Sequence, residues 1–136
     1  MKEILTIDVK ILEPYTVQGS QSRITMLPFT GTASGDYFTG HTIGPGVDTQ
    51  TFVPGPDGKE TACLSARYML EGKDFTGALC RIFIDNSKQD QDGWHPVLVT
   101  DSKALAGWEA ADLVASVDPI DGGVRVRVYQ RDTQTD

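Results

Sequence analysis

Positive charge is what this chain is short of. Its 136 residues carry 12 Lys and Arg against 19 Asp and Glu, a formal net charge of −7, with both signs spread along the sequence. There is no basic field to draw in phosphate, so neither nucleic acid nor an anionic membrane is expected as a partner. No apolar run approaches 18 residues, which argues against a membrane-spanning helix. The two cysteines, Cys63 and Cys80, fit no zinc or redox spacing. The two histidines, His41 and His95, have no second His or Cys at ligand spacing, so no metal site is expected. Gly-x-Ser-x-Gly, the P-loop and the dinucleotide fingerprint are all missing, and no cofactor is expected. The first residues enter a strand pattern without a signal-peptide core, which makes the cytoplasm the expected location.

What the chain does have is alternation and turns. Fourteen Gly and seven Pro beside 39% hydrophobic residues suit a turn-rich β protein of one domain, expected over residues 1–130 with a polar tail at 131–136. Leu5, Ile7, Val9 and Ile11 alternate with polar residues, as do Val124, Val126 and Val128 at the other end, giving half-buried strands. Arg23 to Leu27 reads as a strand weakened by Pro28. Gly31, Gly35 and Gly40 suggest bends where a sheet curls. Pro96 to Thr100 reads as a short strand, Lys103 to Trp108 as a brief helical turn, and Ala111 to Val117 as a strand ending in a hairpin at Gly122-Gly123.

The most regular stretch is Gly44 to Asp85, which reads as three strands: 47–53, 59–71 and 78–85. In the second, Ala62, Leu64, Ala66, Tyr68 and Leu70 share one face; in the third, Ala78, Cys80, Ile82 and Ile84 do. Matching these faces pairs Tyr68 with Cys80 and sets Arg67 across from Arg81, with Asp48 or Asp85 as the balancing acid. The same faces put Cys63 and Cys80 on opposite sides, so no disulfide is expected. Eight to ten short strands with at most one short helix predict an all-β fold, a single antiparallel barrel whose interior is wide enough for one small ligand.

The central stretch with its flanks resembles the DUF3237 (UPF0311) family of small β-barrel proteins. The likeness is carried by Gly40, by Gly44-Pro45-Gly46-Val47-Asp48-Thr49-Gln50, by Ala66-Arg67-Tyr68-Met69-Leu70, by Asp74 with Gly77-Ala78, and by Ile82-Phe83-Ile84-Asp85-Asn86. Val47 and Thr49 stand where the family has a glycine and an aromatic, and Phe75-Thr76 is an insertion in its turn. The resemblance implies a barrel of lipocalin-like appearance and self-association into a homo-oligomer, and carries no particular activity.

Two functions of different class follow. One is a binding module for a small, partly apolar metabolite, lined by Leu5, Ile7, Val9, Leu64, Ile82, Ile84, Val126 and Val128. The other is a cofactor-free isomerase, cyclase or lyase with Asp48 as general base and Tyr68 or an arginine facing the substrate oxygen. A third, blander alternative is an oligomeric structural protein with a filled interior. Each candidate has two readings. Asp48 and Gln50 share a strand face that points either inward or to water, where Asp48 pairs with Arg67. Arg67 and Arg81 either hold an anionic ligand oxygen or lie outside and meet acids. Tyr68 is either core or a donor aimed into the cavity. His41 is a rim or a surface residue. Trp108, like Trp94, covers the barrel mouth or packs in the core or an interface.

Overall fold

In the computed structural model, which describes residues 1–131, twelve strands and one 3-10 turn form a closed antiparallel β-barrel. The strands are β1 (Lys2–Ile11), β2 (Tyr15–Gln18), β3 (Arg23–Ser34), β4 (Phe38–Thr42), β5 (Gly46–Pro54), β6 (Glu60–Asp74), β7 (Leu79–Asn86), β8 (Gln89–Asp90), β9 (Gly93–Trp94), β10 (Val97–Thr100), β11 (Leu113–Ile120) and β12 (Gly123–Gln130), with the 3-10 turn at Ala106–Glu109. Round the barrel the order is β10-β7-β6-β4-β3-β1-β12-β11-β9-β8. β5 follows β4 in the same place between β3 and β6, and β2 pairs with the start of β3 as a flap. The chain itself joins the ends of this ladder, because only His95 and Pro96 separate β9 from β10.

Alternation decides what faces the interior. Leu5, Ile7 and Val9 of β1, Leu70 of β6, Ile82 and Ile84 of β7, and Val126 and Val128 of β12 are buried in one cluster, as a period of two requires of strands with one dry face. Cys80 is buried on that inner side and Cys63 is exposed; both are free thiols. The 3-10 turn brings Leu105 and Trp108 against one end, where Trp108 meets the Tyr37 ring edge-on at 6.1 Å. That end is packed solid with side chains that include Phe38, Leu98 and Leu113.

Three local expectations differ from what the chain does. First, β3 runs straight through Pro28. The Pro28 carbonyl accepts from Leu12 N–H at 2.8 Å, and in an antiparallel ladder N and O of one residue point the same way. The missing N–H of Pro28 therefore falls where β1 gives way to β2, and the pairing of Pro28 with Val47 of β5 is kept. Second, the strand expected to end at residue 71 runs on, and Gly72 belongs to it. It lies inside β6, opposite Gly40 of β4. A Cβ on Gly72 would sit 1.9 Å from the Thr39 carbonyl oxygen, and one on Gly40 would sit 2.3 Å from that of Glu71. These glycines permit close approach of two strands rather than reversal of one.

Third, the β6–β7 hairpin is tighter than face-matching alone suggests. Asp74 ends β6 and its carboxylate accepts from Thr76 N–H at 2.9 Å, Thr76 Oγ1 at 2.5 Å and Ser102 Oγ at 2.7 Å. That buried, fully bonded carboxylate clamps the reversal at Phe75-Thr76-Gly77. Tyr68 consequently pairs with Ile84, not Cys80, a shift of four residues along β7 that keeps the faces and changes the neighbours. Likewise Gln130 ends β12 as a paired strand residue, and Arg131 is tied to Asp112 at 2.9 Å and to Asp92 at 3.1 Å. The remainder of the expected polar tail, 132–136, lies outside the described residues.

The Gly40–Gly72 contact is backbone against backbone, so no side chain can give way. Gly72→Ala is expected to cost at least about 2 kcal/mol of stability, read as a lowered urea midpoint; an unchanged midpoint would show that the two strands do not approach so closely.

Candidate functional site

The other half of the barrel is hollow. A cavity of about 270 Å³ opens away from the 3-10 turn, close to the lower end of the range for small-molecule sites. Its floor is the Phe29–Tyr68 pair, packed edge to face with centroids 5.2 Å apart. Gly46 makes this possible: it pairs with Phe29, and a Cβ there would lie 2.6 Å from the Tyr68 Cβ and 2.7 Å from the Phe29 ring. The walls are aliphatic, with Val9 and Ile11 from β1, Leu27 from β3, Leu64 from β6, Val117 from β11, and Val124 and Val126 from β12. Trp94 of β9 closes the seam side.

Four polar side chains enter this apolar shell. One row of paired residues crosses neighbouring strands as Leu27, Asp48, Ala66 and Asn86. Strands lie about 4.8 Å apart, so Asp48 and Asn86 start about 10 Å from each other with only the Ala66 methyl between them. Asp48 Oδ2 accepts from Gln50 Nε2 at 3.1 Å. Asp48 Oδ1 and Asn86 Oδ1 are buried without a hydrogen-bond partner among the described residues. Tyr68 is 7% exposed, and burial pushes its phenol well above the ordinary value. Its hydroxyl has no protein partner among the described residues. Unpaired buried acceptors are rare in folded proteins, and each calls for an explanation.

The residues singled out from sequence divide cleanly. Asp48, Gln50 and Tyr68 line the cavity. Arg67 and Arg81 do not reach it: they stand on the outer face, Arg67 Nε 3.4 Å from Asp85 and Arg81 Nε 2.9 Å from Glu71. The four-residue shift in register replaces the expected Arg67–Arg81 opposition with two cross-strand ion pairs. His41 lies exposed on the outer face of β4. Trp108 packs in the solid half, away from the cavity. Asn86 and Phe29 were not anticipated. Asn86 ends an apolar run as a short polar residue in phase with Cys80, Ile82 and Ile84, and that phase was the available signal.

The seam beside Trp94 carries a titrating pair. His95 Nε2 lies 2.8 Å from Asp90 Oδ1, and Nδ1 lies 3.2 Å from the Leu113 carbonyl oxygen. Both partners accept, so the doubly protonated imidazolium satisfies both, and its pKa is raised above 6.5 chiefly by the bond to Asp90. The same bond lowers the Asp90 pKa below 3.8. Among the described residues, no group of three or more His, Cys, Asp or Glu is placed to hold a metal ion, and no helix is long and apolar enough to cross a membrane.

No protein-family model matches the chain, and no curated protein matches it in sequence. Solved structures do match its fold. A protein of unknown function from Clostridium acetobutylicum superposes with a TM-score of 0.72 at 22% identity, covering 95% of this chain and 94% of that one. A β-barrel-like protein from Acinetobacter baumannii gives 0.66 at 15% identity, with 95% and 93% covered. A protein described as an enzyme, from Penicillium herquei, gives 0.66 at 15% identity, with 95% and 91% covered. At these identities the likeness establishes the barrel.

Two predictions follow from the geometry. Tyr68→Phe removes a hydroxyl that has no protein partner, so stability is expected to stay within about 0.5 kcal/mol of wild type or to rise; a loss above about 1.5 kcal/mol in urea unfolding would reveal a hidden partner. The His95–Asp90 pair stabilises below pH 6.5 and its contribution fades as pH rises through the raised folded value. At the acid end it is lost as pH falls through the lowered Asp90 value. The destabilisation caused by His95→Gln is therefore expected to be larger at pH 5.5 than at pH 8.5; equal effects at both would remove the ion pair.

Proposed function

We propose that this protein is a small-molecule-binding β-barrel whose ligand is a compact, partly apolar metabolite. One observation carries the reading: an apolar hollow of about 270 Å³ into which a few polar atoms converge from adjacent strands, the usual composition of metabolite sites. Each buried acceptor without a donor costs about 1–3 kcal/mol. Two of them on residues that line one hollow make sense where a ligand's donors satisfy them. The proposal sets the chain beside the DUF3237 proteins.

A second reading is a cofactor-free isomerase, cyclase or lyase acting in the same cavity. It is supported by the Asp48 carboxylate, in which Gln50 holds Oδ2 and leaves Oδ1 free to take a proton. The Tyr68 hydroxyl on the cavity floor is then the donor for a substrate oxygen. The arginines take no part, since Asp85 and Glu71 hold them outside. The description of the Penicillium herquei neighbour as an enzyme favours this reading to the extent that the barrels are alike.

Thermal unfolding against a panel of metabolites tests the first reading. A true ligand at a hundredfold excess over its Kd adds about 2.7 kcal/mol and raises Tm. Ala66→Phe, which projects a ring between Asp48 and Asn86, abolishes that rise. A panel without effect, or a filled variant that responds as wild type does, sinks the proposal. Where a hit is turned over, Asp48→Asn is expected to keep affinity for a neutral ligand and lose about 10²–10⁴ in rate; undiminished turnover rules out Asp48 as the base.

A further inference from the structure

The polar groups of the cavity wall bear on the charge of a ligand and on the donors it carries, a deduction that rests on the binding reading above. Asp48 Oδ1 and Asn86 Oδ1 are buried acceptors without a partner, one N–H of Gln50 is committed to Asp48 Oδ2, and the Tyr68 hydroxyl on the floor is the neutral group that can donate or accept. Asn86 is 8% exposed, so its oxygen has little access to bulk solvent. Among the described residues no Lys, Arg or His lines the hollow, leaving Asp48 as its only formal charge.

The arginines that could reverse this are engaged elsewhere. Arg23 stands at the flap on the same face of β3 as Leu27 and Phe29. It is held by Glu60 at 3.0 Å, and its guanidinium lies over the Phe52 ring at 4.0 Å. Turning the Asn86 amide over would offer an N–H, but it supplies no positive charge to offset Asp48. An anion entering this site therefore meets a like charge in an apolar surround without a countercharge.

We infer that the ligand carries at least one hydrogen-bond donor: a compact apolar molecule, neutral or cationic, that presents N–H or O–H groups to the Asp48 carboxylate and the Asn86 amide. Carboxylates and phosphates are refused. The two oxygens flank Ala66 on one wall while the opposite walls are aliphatic. The ligand accordingly has a polar edge and an apolar body.

Four probes on one skeleton test this: benzylamine, benzyl alcohol, benzoate and toluene, titrated at neutral pH and followed by NMR at the Trp94 indole and the Asn86 side-chain amide. Benzylammonium and benzyl alcohol are expected to shift both signals, with benzoate at least a hundredfold weaker than the amine. Asp48→Asn is expected to erase the preference for amine over alcohol, about tenfold, because a charge-assisted bond becomes a neutral one. The protein's overall negative charge would bias every variant almost equally, so loss of the preference at one position localises it. Benzoate binding as tightly as benzylammonium, or toluene alone binding, overturns the inference and leaves the binding reading standing. Silence from all four, toluene included, overturns both. The wild-type ranking decides the matter even if the Asp48 variant does not fold.

Discussion

Closing an antiparallel sheet on itself commits every second residue of every strand to one shared interior. That constraint governs the rest of this molecule. It brings the edges of the sheet together, and it leaves no freedom over what faces inward. The seam is where closure is most exposed to failure. There β9 and β10 are successive pieces of chain rather than hydrogen-bonded partners, separated by His95 and Pro96. The His95 ring bridges Asp90 and the Leu113 carbonyl across that join.

Within the closed sheet the interior is divided by side-chain size. At one end Phe38, Leu70, Ile82, Leu105 and Trp108 fill the space. At the other, glycine and alanine stand at two positions beside the hollow. Gly46 lets Phe29 lie against Tyr68 as a floor, and Ala66 keeps open the gap between Asp48 and Asn86. The packed half supplies apolar burial. The hollow half holds polar atoms that are buried without a partner among the described residues, at a local cost to stability. Outside, the charges that might have altered the cavity are drawn into cross-strand pairs, Arg67 with Asp85, Arg81 with Glu71 and Arg125 with Asp8.

Much of this barrel is legible in the sequence. Period-two alternation placed Leu5, Ile7, Val9, Val126 and Val128 inside, and the faces of β6 and β7 were read correctly because a slip by an even number of residues leaves faces unchanged. The register itself was misread. Face-matching cannot tell a four-residue slip from the true pairing, whereas the Asp74 carboxylate, bonded to Thr76 and Ser102, admits one only. Pro28 and Gly72 were read as interruptions because proline and glycine usually are. Here Pro28 sits where β1 gives way to β2 and Gly72 where a Cβ would strike β4, and that depends on which strand lies alongside.

Sequence alone determined the fold class and the partition of each strand into inner and outer faces, because alternation is a local property that survives any choice of partner. It also brought Asp48, Gln50 and Tyr68 into consideration. Only the tertiary structure decided that the first two point inward, that Asn86 joins them, and that Arg67, Arg81, His41 and Trp108 do not. Those answers depend on register and closure, which arise from contacts between residues far apart in the chain, and no pattern within a single strand encodes them.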